Sequence, residues 1–267
     1  MCVAFSLGIY KFVAIMIKLD ILICTIDEGI ERVPDVLMPP RADIGYVVSM
    51  QWTREEMKER VPEVLRERED VVLTFLEGRG LCRNRNHALE MATGDVVLMA
   101  DDDNRYTADL IKNVFEAYEA YPDADVIHFQ ALDLDCNCLH AYPADYVSSV
   151  EITFRRDVKV RFDERFGLGS EKLCSGEEEV WMKDVRDAGY CVRYVPEPVV
   201  MTPAGTTGVC FVGNARLQMS KGATFKYVYG TPDALWRTLK EAGWWMVHRG
   251  ANPFPILYNM LKGMVEV

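Results

Sequence analysis

The sequence predicts an α/β fold, a mixed but mostly parallel sheet flanked by helices. Three observations carry this. From Lys18 onward, short apolar runs alternate with amphipathic stretches, the pattern of strands connected by helices. The run 95–100, "DVVLMA", is apolar throughout after its first residue, as expected of a strand covered on both faces. Gly78, Gly80 and Gly94 break the chain between such runs. Taken in order, the first strand is "DILICTI" (20–26), ending in the acidic turn Asp27-Glu28-Gly29. The second is 44–50 and the third 71–76. Gly78 and Gly80 then break the chain before a helix whose inner face is Ala88, Leu89, Met91 and Ala92, with Gly94 as its C′ stop. After strand 95–100, Thr107 caps a helix with the stripe Leu110, Ile111, Val114, Phe115 and Tyr118, and Pro122 follows its end. Strand 126–131 comes next, then a strand over 147–156 with a polar face. A glycine-studded loop (162–176) leads to a helix over 177–189 with three glutamates in its first turn and Gly189 as its stop, and 190–196 returns to strand.

Length and charge narrow the class. The 267 residues suit one large domain or a domain with an appendage. The formal net charge of -11 opposes nucleic acid, which needs a basic footprint. The eight cysteines contain no CxxC pair and read as reduced thiols of a cytoplasmic protein. A zinc site at Cys136, Cys138 and His140 would lack a fourth ligand and the usual spacing. Residues 1–16 are apolar but lack the basic start and cleavage site of a signal peptide, and Lys11 interrupts them; they read as an extension before a domain over 17–210. Residues 211–267 read as a helical appendage, packed on that domain or lying at a membrane surface, because Trp236, Trp244 and Trp245 alternate there with Arg237, Lys240 and Arg249.

The stretch "GDVVLMADDDNRY" places Asp101, Asp102 and Asp103 at the end of an apolar strand. Like charges beside a low-dielectric wall repel, so the cluster calls for a cation. Hard oxygen ligands suit Mg²⁺ or Mn²⁺, which can grip a diphosphate. The triplet alone is equally compatible with a solvated acidic turn. A phosphatase of the haloacid dehalogenase type would need a Thr or Val two residues after its second Asp, and a sugar nucleotidyltransferase a glycine-rich N-terminal signature; neither is present.

The wider segment "GRGLCRNRNHALEMATGDVVLMADDDNRY" resembles the core of family 2 glycosyltransferases, inverting enzymes of GT-A fold, in the type that builds bacterial surface polysaccharides. "ILICTIDEGIERV" is similar to that family's opening strand and turn, although its Pro, Tyr and Asn are replaced, and "SGEEEVWMKDVRDAGYCVRYVPEPVV" to its downstream helix. The resemblance covers about residues 17 to 230. It implies a metal-assisted transfer from a nucleotide-sugar donor, a UDP-sugar, to a glycan or lipid-linked acceptor, on the inner face of the cell membrane if peripheral. It places Thr25, Asp27, Glu28, Arg83, Arg85, Asn86, Asp101 and Asp102 at the donor nucleotide, and Asp101 with Asp103 at the metal. It makes Glu178, flanked by Glu177, the general base. On the polar face of strand 147–156, Ser149 and Glu151 could hydrogen-bond an acceptor sugar or equally be outward residues of an edge strand, and Glu179 and Trp181 are further acceptor candidates. An anionic base in the first turn of a helix agrees with the helix dipole, although three glutamates there are also ordinary dipole complementarity. One departure stands out: Met201 and Thr202 occupy the place of a family metal-ligand His. It keeps open a protein that binds nucleotide-sugar or glycan without turnover; a nucleotidyltransferase is the other alternative.

Overall fold

The computed structural model describes residues 17–140, 147–203 and 210–267; the extension over 1–16 and part of the stretch after Thr202 lie outside them. Seven strands form one sheet: β1 (Leu19–Ile26), β2 (Ile44–Trp52), β3 (Val71–Glu77), β4 (Val96–Asp101), β5 (Val126–Asp133), β6 (Ile152–Arg155) and β7 (Val192–Thr202), in the order β3-β2-β1-β4-β6-β5-β7. β6 alone runs antiparallel to its neighbours. The helices are α1 (Glu63–Glu67), α2 (Leu81–Met91), α3 (Ala108–Ala120), α4 (Glu177–Asp187), α5 (Ala215–Arg249) and α6 (Pro253–Met264). Every residue of β1 except Ile26 is buried, as are the first five of β4, which is what a continuous apolar run between two helical layers requires. One face of the sheet packs Ile21, Ile23, Val48 and Leu98 against Ile111, Val114 and Tyr118 of α3. The other packs Leu22, Val97 and Phe154 against Ala88 of α2 and Trp181 of α4.

The chain winds outward from β1 to β2 and β3, then returns to place β4 on β1's other side, so the carboxyl ends of β1 and β4 form a topological switch point. Ligands of open α/β sheets sit at such points. The register Cys24↔Asp101 brings the acidic turn after β1 beside the aspartate triplet after β4.

Local chemistry explains most boundaries. The Thr107 side chain accepts a hydrogen bond from Leu110 N and starts α3. Gly189, at φ +86°, stops α4. Two expectations are corrected. Gly94 does not end α2; the helix stops at Met91 with Ala92 already extended, and Gly94 lies where the backbone meets buried Asp20, donating its N–H to Oδ2 at 2.6 Å. Segment 147–156 is not a strand throughout. Glu151 Oε2 accepts from Ser148 N at 3.3 Å, folding 149–151 into a 3₁₀ turn, and the short β6 that follows lies inside the sheet rather than at its edge.

The appendage begins as part of the domain. Ala223 of α5 shares a small core with Phe166, Leu173 and Val180. Asn214 caps α5, a kink at Gly230 (φ +76°) precedes Pro232, and Asn252 caps α6. Helices α5 and α6 cross in backbone contact: a Cβ on Gly222 would overlap the Met260 carbonyl, and one on Gly263 the Met219 carbonyl. Gly263→Ala therefore separates the helices. We expect a loss of about 1–3 kcal/mol, read as a lower melting temperature, with the neighbouring exposed Lys262→Ala unchanged; equal melting of the two would contradict this crossing.

Candidate active site

The switch point gathers two acidic groups around two guanidinium ions. The first is built on α2. Its "RNRN" residues split by helical rotation into different jobs. Asn84 is buried, donates to the Thr25 and Ser49 carbonyls at 3.1 and 3.0 Å, and accepts from Ser49 Oγ at 2.7 Å; it ties β1 to β2 just below the cleft. Asn86 acts as a substitute peptide group: Nδ2 donates to the Phe162 carbonyl and Oδ1 accepts from Phe162 N, both at 2.9 Å. That reciprocal pair, with the bond from Leu81 N to the Leu168 carbonyl at 2.8 Å, clips the loop before α4 onto α2.

The clip presents the first turn of α4 to Arg85. This guanidinium is buried, stacks 5.3 Å from the Phe162 ring centre and donates to Ser149 Oγ at 2.6 Å. Three carboxylates surround it: Glu178 Oε1 at 3.4 Å, Glu177 Oε1 at 3.5 Å and Asp101 Oδ1 at 3.9 Å. One positive charge faces three acids, and the mismatch appears in their proton affinities. Burial, reinforced by the Glu178 charge and opposed by Arg85, pushes Glu177 up to about 8. Its Oε2 has no hydrogen-bond partner among the described residues, and Gly167 (φ +90°) packs directly over the carboxyl, where a Cβ would crowd it. Burial also raises Glu178, against the pull of Arg85. Asp101, whose side chain is 44% exposed to the cleft, is pushed up to about 6 by desolvation and by Asp103, Glu178 and Asp102, with Arg85 opposing.

The second guanidinium belongs to Arg32, which pairs with Asp102 Oδ1 at 2.6 Å, while Thr25 Oγ1 donates to Asp102 Oδ2. Gly29 has no room for a side chain, because a Cβ would overlap both Asp102 and Thr25. Asp102 is thus neutralised and fixed. The buried Asn104 accepts from Asp101 N at 2.9 Å and shapes the turn, leaving the half-buried Asp103 raised by desolvation and by its neighbour Asp102. On the far rim, Asp27, at φ +48°, accepts from Thr53 N and Oγ1 at 2.8 and 2.7 Å, and Glu28 meets Arg54 at 2.8 Å. The end of β7 closes the opposite side: Arg105 and Met201 exchange backbone hydrogen bonds at 2.9 Å, setting Thr202 beside the aspartate turn.

Against this geometry the comparisons are specific. Residues 53–137 match the model described as Glycosyl transferase family 2. A glucosyl-dolichyl phosphate glucuronosyltransferase of Haloferax volcanii is 33% identical over 113 residues, 40% of this chain and 36% of that protein. The chain thus matches about a third of the length of this curated relative. Over these segments the chain is similar to family 2 glycosyltransferases. Its sheet is that of the GT-A fold. S. aureus TarS 1–349 in complex with UDP superposes with a TM-score of 0.56 at 13% identity, covering 87% of this chain and 73% of that one. A Pyrobaculum calidifontis mannosyltransferase in complex with GDP-Man and Mn²⁺ superposes with a TM-score of 0.58 at 15% identity, covering 95% and 75%.

Within this cleft the expected site residues fall into groups. Asp101, Glu177 and Glu178 converge on Arg85, while Asp102, Asp27, Glu28 and Asp103 line the neighbouring rim; Thr25 is buried beneath it, its hydroxyl given to Asp102 rather than to a nucleotide. Arg83 is exposed on the first turn of α2, donating to the Glu77 carbonyl at 3.0 Å. Several side chains are placed otherwise than the sequence suggested. Trp181 is fully buried between Phe154 and Phe162, so it is core rather than acceptor surface; its truncation to Ala is expected to cost about 3–5 kcal/mol. The Asn86 amide is committed to the loop clip rather than to a diphosphate. Ser149 and Glu151 are buried under Arg85 and beside His128, not open to a sugar. Glu179 is half-buried and lies 3.8 Å from Lys221. Sequence reasoning missed Arg32, Asn84 and Asn104; only the adjacency of Asn104 to the aspartates gave any signal.

A pH dependence follows. Glu177 retains its proton in the folded chain to about pH 8, whereas an unfolded glutamate loses it near 4.5. Between these values the folded state binds more protons, so stability falls as pH rises. Glu177→Gln keeps the shape without the titration. Its melting temperature is expected to decline less than the parent's between pH 5 and 8 and to lie above it at pH 8; parallel curves would contradict the assignment.

Proposed function

We propose that the domain is an inverting glycosyltransferase that moves a sugar from a UDP-sugar to a hydroxyl of a glycan or lipid-linked acceptor, with Glu178 as general base. The observation that carries the reading is the sharing of Arg85 by Asp101 and Glu178, which sets a strand-end carboxylate and a helix-start carboxylate on one cleft. Glu178 is the more open of the two glutamates on Arg85, with 17% of its side chain exposed against 6% for Glu177. At neutral pH the high proton affinity of Glu177 keeps that neighbour neutral and spares Glu178 a second like charge. Raised by burial, Glu178 is a stronger base than a free carboxylate, and the amino end of α4 and Arg85 still favour its anion.

The acceptor hydroxyl gives its proton to Glu178 as its oxygen bonds to the anomeric carbon. The bond from that carbon to the diphosphate breaks on the opposite side, and the nucleoside diphosphate leaves with the electron pair. Inversion is the consequence of this single in-line displacement. Arg85 is a positioning residue: it orients Glu178 without needing to touch the donor. Arg83, at the rim, is assigned to the diphosphate, and Asp27 and Glu28 to the nucleoside end.

A divalent cation fits the residues present. With Asp102 paired to Arg32 and Glu177 neutral, the anions Asp101, Asp103 and Glu178 exceed Arg85 by two charges. Asp101 and Asp103 would hold Mg²⁺ or Mn²⁺ through hard oxygen atoms, with the donor and water completing the coordination, and the ion would supply charge stabilisation to the departing diphosphate. A second reading, donor binding without turnover, is favoured by one observation: Thr202, a poor metal ligand, stands beside the aspartate turn.

Measured transfer separates the two. Glu178→Gln is expected to lower kcat by about 10²- to 10⁴-fold with donor affinity retained, while Asp103→Ala loses metal-dependent donor binding. Full turnover in Glu178→Gln would overturn the base assignment. Donor binding without turnover in the parent, across glycan and lipid-linked acceptors, would favour the second reading.

A further inference from the structure

The distal half of α5 and helix α6 are apolar on two sides. Their inner sides are used: Ala234 and Ala242 of α5 and Ile256 and Met260 of α6 are buried in one core with Leu217 and Phe225 of the first half of α5. Their outer sides are not. Along α5, Trp236 is 63% exposed, Leu239 is exposed and Val247 is 73% exposed, spaced so that they share a stripe. Along α6, Phe254 at 76%, Tyr258 at 68% and Val265 form a second stripe. Isolated exposed apolar residues are ordinary, but two stripes of large side chains on consecutive helices mark an interaction surface.

Charge selects the occupant. Residues 210–267 carry seven Lys and Arg against three Asp and Glu, a net of about +4 in a chain whose total is -11, so the remainder carries about -15. The positive groups border the stripes: Arg237 and Lys240 follow Trp236, Arg249 follows Val247, and Lys262 lies between Tyr258 and Val265. A second copy of this chain would bring its own positive fringe against this one. An anionic bilayer surface complements both the sign and the amphipathic Trp and Tyr side chains, which sit well where hydrocarbon meets headgroups. No helix among the described residues is long and apolar enough to cross a membrane, so the contact is with the surface.

We propose that α6 and the distal half of α5 form a docking face for a membrane carrying anionic lipid headgroups. The inference stands on this surface alone; it rests on the proposed transferase activity only in that docking would present the cleft to a lipid-linked acceptor. The full chain is mixed with unilamellar vesicles of phosphatidylcholine, with or without phosphatidylglycerol, and floated. It is expected to rise with the phosphatidylglycerol vesicles, less as salt increases, and at least about tenfold less as the Trp236→Glu/Phe254→Glu double variant. Both substituted residues are exposed, and an unchanged melting temperature checks the fold. UDP binding in solution, measured on the same variant, is expected to be retained, which keeps failure of the docking face distinct from failure of the transferase reading. No flotation of the parent, equal flotation of parent and variant, or equal binding to phosphatidylcholine alone would overturn the proposal. So would a concentration-dependent dimer, dissociated by the same variant, in a chain that does not float.

Discussion

A buried guanidinium surrounded by more negative charge than it can neutralise organises the cleft. Arg85 cannot return to water without dismantling α2, and it cannot remain dry without partners. Its partners come from three distant places in the chain: the end of β4, the turn before β6 and the first turn of α4. Each must arrive for the ion to be satisfied, so one side chain couples the packing of the sheet, the loop clip at Asn86 and the orientation of Glu178. The same residue leaves an electrostatic deficit, because one cation does not balance Asp101, Glu177 and Glu178. The fold distributes that deficit. Glu177 takes a proton, Asp102 takes Arg32, and the remaining surplus lies on the side of the cleft where a diphosphate and its cation would sit.

How far this was legible in the sequence depends on which physical signal fixed each part. The continuous apolar runs of β1 and β4 and the acidic turns that end them were legible, because a strand buried on both faces leaves a one-dimensional trace. Helix α4 was legible from its glutamates and Gly189. What the sequence does not carry is facing. In "RNRN", four polar residues share composition and neighbourhood, yet helical rotation sends Arg83 to the rim and Asn84, Arg85 and Asn86 inward. Trp181 sits four residues after the start of a functional helix turn, but that spacing points it into the aromatic core. The position of β6 was likewise hidden: nothing local says that a four-residue strand will enter antiparallel between β4 and β5. Arg32 was missed because its partner Asp102 is 70 residues away and only sheet register joins them.

The cleft and the α5–α6 segment divide the electrostatic work. The sheet and its cleft hold the negative charge, while the α5–α6 segment is positive and exposes the large apolar side chains. The kink at Gly230 separates the part of α5 that packs on Phe166, Leu173 and Val180 from the part that carries the exposed stripe. A common division of chemistry and location would follow: acids for the reaction, bases and aromatics for placement.

The surplus charge at the β4 end is tested most directly by calorimetric titration of UDP into the chain with Mn²⁺ present or chelated, near pH 6 and in buffers of different ionisation enthalpy. With Asp101 close to half-protonated there, a cation arriving with the nucleotide must expel protons. The account predicts Mn²⁺-dependent UDP binding with net proton release that is lost in Asp101→Asn. UDP binding of equal strength in chelator, with no proton released, would contradict it.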